Sequence, residues 1–280
     1  MASNVIETGN GTTLHYLQSG NSHGPLLICL HGLGGSTNTF TPLVSRLTQS
    51  YNIVLVDFPG FGKSPVPTQR PTIPGYVSDL HDVIASLQAV QAQDKSKKVI
   101  IFGHSLGTAI ALHVASENPS LVAGLVLIGS ARSASHIAAV RQRMLEMAAN
   151  TRKMGTTWAA ELAMKSNFPP MDKRQVDESL RKEVYDAVVA SDPEGYALTC
   201  EMMVDESHKD PDYSKIKCPT LLIAGDLDVI SPVQRSQDLI QLIGSDSCWL
   251  EIVKAGHQPI LEEPEAVATA IEKLIGKIDI

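Results

Sequence analysis

The sequence predicts an α/β protein: a mostly parallel sheet with helices on both faces, and a separate helical layer inserted late in the chain. Three observations carry this prediction. Short runs that are apolar at nearly every position recur along the chain, as strands covered on both faces of a parallel sheet require. Between them the apolar period changes to that of a helix. From Arg132 to about Ser214 the strand-like runs stop, and the period is helical throughout.

The strand runs are Leu26–Leu30, Ile53–Val56, Val99–Phe102, Leu125–Ile128, Thr220–Ala224 and Trp249–Val253. Before them, Val5–Glu7 and Thr13–Gln18 flank the pair Asn10-Gly11, which suits a tight hairpin turn. Val77, Leu80, Val83, Ile84 and Leu87 fall at helical spacing with Asp79, His81 and Asp82 opposite them, and Val267, Ile271, Leu274 and Ile275 repeat the pattern near the C-terminus. Strands alternating with helices of this length make βαβ units with right-handed crossovers.

The late segment predicts helices over His136–Asn150, Thr156–Ser166, Lys173–Ala190 and Pro193–Asp205. Seven of the eight methionines lie there (Met144, Met147, Met154, Met164, Met171, Met202 and Met203). Methionine fills irregular apolar gaps and adapts its shape, so this layer reads as a deformable cap over a pocket. The expected division is a core of residues 1–131 and 214–280, with a helical cap (lid) at 132–213. Trp158, Met202 and Met203 from the cap, with Val229 and Ile230 from the core, are the expected pocket lining.

A chain of 280 residues that is 43% hydrophobic and 19% charged is long and apolar enough for one large core, which excludes intrinsic disorder. A formal net charge of -7 leaves no basic face for nucleic-acid phosphates or anionic lipids. Cys29, Cys200, Cys218 and Cys248 lack metal or redox spacing and read as reduced thiols. No signal peptide and no apolar run of membrane-spanning length is present in the sequence, so the expected location is cytoplasmic. The expected partner is a small-molecule substrate, with no nucleic acid and no membrane, and a homodimer is left open.

The chemistry centres on Gly103-His104-Ser105-Leu106-Gly107, directly after one strand run and directly before a helix. Serine on such a strand-to-helix turn is lifted clear of the sheet and meets the positive end of the helix. A hydroxyl is a poor nucleophile near neutrality and needs a base, which in turn needs an orienting acid. Gly225-Asp226-Leu227-Asp228 follows one strand run and Gly256-His257 follows the next, both at the carboxyl edge where α/β sheets bind ligands. Of nine histidines, only His257 has both this loop and this chain order. Asp226 and Asp228 both qualify as the acid. The loop after Leu125–Ile128, Gly129-Ser130-Ala131-Arg132, offers no carboxylate. His31-Gly32-Leu33-Gly34-Gly35 follows the first buried run, where the Leu33 and Leu106 N–H groups can form an oxyanion hole.

Taken with Asp57–Ser64, Gly225–Pro232 and Gly256–Val267, these motifs make the chain resemble the α/β-hydrolase superfamily over essentially its whole length. The resemblance implies an eight-stranded sheet, a helical cap, no cofactor and no metal, and a Ser105, Asp228, His257 triad. It also implies that Asp57 supports a structural turn. Within the superfamily the chain is most similar to small capped serine esterases and lactonases of the 3-oxoadipate enol-lactonase-like type. That similarity implies a carboxylesterase or lactonase acting on a small, partly apolar substrate through an acyl-enzyme. Two alternatives share the layout. One is a carbon–carbon bond hydrolase of vinylogous diketones, for which Arg152, Arg174, Arg181 or Trp158 would stand near the site. The other is a ligand receptor with slow or no turnover.

Overall fold

A computed structural model describes residues 1–90, 98–244 and 246–278. It holds one eight-stranded sheet in the order β1-β2-β4-β3-β5-β6-β7-β8. The strands are β1 (Ala2–Glu7), β2 (Thr13–Gly20), β3 (Leu26–Leu30), β4 (Asn52–Val56), β5 (Val99–His104), β6 (Val122–Ile128), β7 (Thr220–Gly225) and β8 (Cys248–Val253). β2 runs antiparallel to β1 and β4, and every other pairing is parallel. The predicted hairpin joins β1 to β2, with Gly11 at φ 73° in its turn.

Alternation along each strand sorts the core into two layers. Ile28, Leu30, Val54, Val56, Ile101, Leu125 and Leu127 point to one face, packed under α2 (Ile73–Val90), α3 (Leu106–Glu117) and the inner side of α8 (Val233–Ile243). Cys29, Ile53, Leu55, Phe102, Val126 and Ile128 point to the other, covered by α1 (Thr41–Leu47), α9 (Pro259–Glu262) and α10 (Pro264–Ile275). β3 to β7 are buried at every position, which is why they read as unbroken apolar runs.

β8 departs from that reading. It is the outer strand, and its Ile252 is 54% exposed, so Trp249–Val253 has only one fully covered flank. Its charged neighbour Glu251 accepts from Lys273 of α10 at 2.8 Å, and charge of this kind blunts an edge.

Four helices follow β6 before β7 begins: α4 (Ala138–Met154), α5 (Thr156–Ser166), α6 (Glu178–Val189) and α7 (Pro193–Met203). Two pairs form, α4 with α7 and α5 with α6. α7 starts where Asp192 accepts from the Glu194 and Gly195 N–H groups and Pro193 takes the first turn. α6 begins at Glu178, five residues after the predicted Lys173, because Asp177 caps it by accepting from Ser179 N–H. Met144 and Met202 are buried between the helices, and the Tyr196 hydroxyl reaches Met147 Sδ at 3.7 Å. The four cysteines are free, and burial pushes the Cys29 thiol far above its ordinary value.

Leu127 in β6 is fully buried in the layer under α2 and α3. Leu127→Ala should lower stability by about 2–5 kcal/mol through lost transfer energy and the cavity left behind. A urea melt at constant m-value measures this, and a change under 1 kcal/mol would mean the layer collapses into the space.

Candidate active site

Ser105 sits at φ 49°, ψ −115° between β5 and α3, and it is the only non-glycine at positive φ among the described residues. Strain of this kind costs about 1–3 kcal/mol and persists only where the surroundings enforce it. Here they do so sterically. A Cβ at Gly107 would stand 2.1 Å from the Leu30 carbonyl oxygen, and one at Gly103 would stand 2.6 Å from the Gly107 carbonyl. Ser105 N–H donates to Ile128 O at 2.9 Å, while Ser105 O accepts from the Thr108 hydroxyl at 2.6 Å.

The two candidate acids separate cleanly. Asp226 forms a two-pronged pair with Arg174, at 2.8 and 2.7 Å, facing the inserted helices. Asp228 is buried and its Oδ2 lies 2.7 Å from His257 Nδ1. Its Oδ1 accepts from the Ile230 and Ser231 N–H groups, each at 2.8 Å. Burial pushes the Asp228 carboxyl up, but His257 and these two amides outweigh it and hold the group below the usual carboxylate value.

His257 is positioned through its main chain. Its N–H donates to Asn167 O at 2.7 Å, and its carbonyl lies 2.8 Å from His104 Nε2. The His104 and His257 rings are 5.1 Å apart, which ties the residue before the serine to the imidazole loop. Burial, with His257 alongside, pushes His104 down to about 3, so it stays neutral and donates from Nε2 to that carbonyl. Below the imidazole lies Gly129, where a Cβ would stand 2.8 Å from His257 Cε1. The loop after β6 therefore carries no side chain at the point nearest the ring.

The glycine-rich loop closes on the serine from the other side. A Cβ at Gly32 would stand 2.9 Å from Ser105 Cβ, so only glycine lets the loop approach this closely. His31 is fully buried, accepts from Phe58 N–H at 2.9 Å through Nε2, and has Nδ1 2.7 Å from Gly32 O. Burial lowers its pKa despite nearby Asp57. Asp57 accepts from Thr37 N–H at 2.6 Å and Lys63 N–H at 3.0 Å, and so fixes the far end of the same loop. Leu33 follows Gly32 in this loop, and Leu106 follows Ser105 as the first residue of α3.

A cleft of about 730 Å³ opens beside this cluster, between the glycine-rich loop and α6. Its walls include Leu33, Val184, Val188 and Leu261 on the apolar side, with Asn167 and Gln258 on the polar side. The expected pocket residues lie elsewhere. Met202 is buried in the core, Trp158 and Met203 pack against that core, and Val229 is 57% exposed beside the partly covered Ile230. None of the three arginines of the inserted helices lines the cleft. Arg152 pairs with Glu194 and Glu201, Arg174 with Asp226, and Arg181 with the Met164 and Pro169 carbonyls over the Phe168 ring.

Sequence reading missed Asn167, Gln258 and Glu262. Gln258 Nε2 donates to Asn167 Oδ1 at 2.6 Å, joining the loop after β8 to the end of α5. Glu262 Oε1 accepts from Gly256 N–H at 2.8 Å, while its buried Oε2 has no hydrogen-bond partner among the described residues. Burial pushes this carboxyl up to about 7, against the opposing pull of the Gly256 and Gln258 amides and of Arg174 and Arg181. An acidic residue five positions after the candidate base was the available signal.

The family model described as alpha/beta hydrolase fold matches residues 25–264. A pimeloyl-[acyl-carrier protein] methyl ester esterase of Vibrio vulnificus is 26% identical, covering 95% of this chain and 99% of its own. A 2-hydroxy-6-oxo-6-(2'-aminophenyl)hexa-2,4-dienoic acid hydrolase of Metapseudomonas resinovorans is also 26% identical, over 93% of this chain and 86% of its own. The solved structure of the enol-lactonase from Burkholderia xenovorans LB400 superposes with a TM-score of 0.83 at 21% identity, covering 98% of this chain and 100% of its own, and so shares the fold.

Glu262 gives a pH signature. A carboxyl raised from 4.5 to about 7 binds more protons folded than unfolded between those values, so folding stability falls as pH rises through that window. Glu262→Gln removes the titration. The difference in melting temperature, variant minus wild type, should therefore be more positive at pH 8 than at pH 5. Thermal melts at both values check it, and an unchanged difference would place the carboxyl near its ordinary value.

Proposed function

The chain belongs to the α/β-hydrolase family, and within it we propose a serine hydrolase that cleaves a carboxylic ester or lactone of a small, partly apolar substrate. The observation that carries this reading is the 2.7 Å contact of His257 Nδ1 with Asp228 Oδ2, beside a serine held at positive φ on the same sheet edge. Nδ1–H donation to the carboxylate leaves His257 Nε2 free to act as base. In the first step Nε2 takes the Ser105 hydroxyl proton while Oγ bonds to the carbonyl carbon. The oxyanion is held by the Leu33 and Leu106 N–H groups. Collapse breaks the carbonyl–alkoxy bond, and the alcohol leaves with the proton from His257. Water deprotonated by His257 then releases the acid. A lactone opens by the same steps, with its alcohol still attached to the product.

The cleft volume of about 730 Å³ falls within the range of small-molecule sites, and its mixed wall suits a substrate with one apolar portion. Location and assembly are part of the same proposal: a cytoplasmic enzyme, with a homodimer left open. No helix among the described residues is long and apolar enough to cross a membrane.

The second reading, carbon–carbon bond hydrolysis, is favoured by the full-length likeness to the hexadienoic acid hydrolase. The same three side chains would serve it. Against it stand the arginines of the inserted helices, which are committed to Glu194, Glu201, Asp226 and backbone carbonyls outside the cleft wall.

One substrate panel separates the readings: p-nitrophenyl esters of graded chain length, small lactones and a vinylogous diketone. Multiple turnover of esters or lactones is expected, with Ser105→Ala lowering kcat by about 10⁴-fold or more and Asp228→Asn by about 10⁴-fold. Turnover of the diketone alone would establish the second reading. One slow turnover with retained product would mark a receptor. Full activity in Ser105→Ala would overturn the proposed nucleophile.

A further inference from the structure

A second serine–histidine–aspartate array stands apart from Ser105. Ser3 Oγ lies 2.9 Å from His15 Nε2, and His15 Nδ1 lies 2.7 Å from Asp57 Oδ2. The remaining oxygen, Asp57 Oδ1, accepts from Thr37 N–H at 2.6 Å. This repeats the connection at His257, where one carboxylate oxygen meets Nδ1 and the other accepts backbone amides. His15 and Asp57 are buried, at 3% and 1% exposure, while Ser3 is exposed on β1.

Strand register sets where this array faces. Ser3 pairs with Leu17, and His15 lies two residues before Leu17 on the same face of β2. His15, Leu17 and Asp57 all line the cleft that reaches the glycine-rich loop beside Ser105. Asp57 holds the imidazole so that Nδ1–H donates to it, which leaves Nε2 to accept from the Ser3 hydroxyl. A nucleophile within hydrogen-bond reach of a base, with that base oriented by a third group, is the arrangement that activates a hydroxyl.

We propose that Ser3 is a second activated hydroxyl and a site of covalent acylation by small activated esters. In the step, Ser3 Oγ bonds to the acyl carbon as its proton passes to His15 Nε2. The acyl–oxygen bond of the ester breaks, its aryloxide leaves as the anion, and His15 returns the proton to solvent. Ser3 lies within a strand, whereas Ser105 precedes the first turn of a helix. It therefore lacks the helix dipole that helps to stabilise an oxyanion. Acylation at Ser3 is accordingly slow and stoichiometric, and the ester it forms persists.

The test uses the full chain carrying Ser105→Ala, so a failure here is separate from a failure of the proposed nucleophile. The protein is incubated with p-nitrophenyl acetate, then followed by intact mass and peptide mapping. One acetyl adduct is expected on Ser3, at least about tenfold above the exposed Ser207 and Ser214 in the same digest, and none at that position in Ser105→Ala/Ser3→Ala. Adding His15→Gln, with folding checked by circular dichroism, should slow the adduct about 100-fold. Should that variant fail to fold, urea-unfolded Ser105→Ala takes its place and should lose the preference for Ser3. Labelling of Ser3 no faster than of Ser207 and Ser214, an unchanged rate in folded His15→Gln, or a preference that survives unfolding would each overturn the proposal.

Discussion

The backbone of Ser105 is the constraint on which the rest depends. An L-residue at φ 49°, ψ −115° relaxes unless its neighbours forbid it. The restraint comes from contact distances, since neither Gly103 nor Gly107 has room for a single extra carbon. β5 must therefore run beside β3, and α3 must leave the sheet at that point. The central position of β5 between β3 and β6 brings the flanking loops to one edge. Packing of the whole sheet is thus expressed as the orientation of one hydroxyl.

A second set of constraints ties the inserted helices to the chemistry below them. Asn167, at the end of α5, holds the main chain of His257 and the side chain of Gln258. Arg174 holds Asp226, two residues before Asp228. The loops carrying the proposed acid and base are each gripped from above. Charge is arranged with the same economy: the buried Asp228 is offset by an imidazole and two amides, His104 is kept neutral, and burial pushes Glu262 up to about 7.

Much of this was legible in the sequence, for identifiable reasons. β3 to β7 are covered on both faces, so burial writes itself as unbroken apolar runs. The elbow is legible because sterics demand glycine at two fixed offsets around Ser105. The geometry also distinguishes Asp226 from Asp228, which spacing alone left open. β8 was misread although Glu251 breaks its run of apolar residues, the mark of a strand that is not covered on both sides; its Ile252 faces outward at the sheet's edge. The cleft is lined by residues other than the expected ones for a related reason. Periodicity shows that α4 to α7 have apolar faces, but their rotation over the sheet is set by packing. α6 therefore offers Val184 and Val188 to the cleft, while Met202 goes to the core.

The hydrogen bond from His257 N–H to Asn167 O bears on how such a protein can be diversified. An inserted layer that only shaped a pocket would be a replaceable module, free to be traded among relatives without touching the machinery beneath. Here the junction after α5 is part of that machinery. Its contribution is a main-chain carbonyl, which any residue type supplies but only one path of the chain delivers. The course of the backbone near residue 167 is thereby tied to the imidazole loop as one unit.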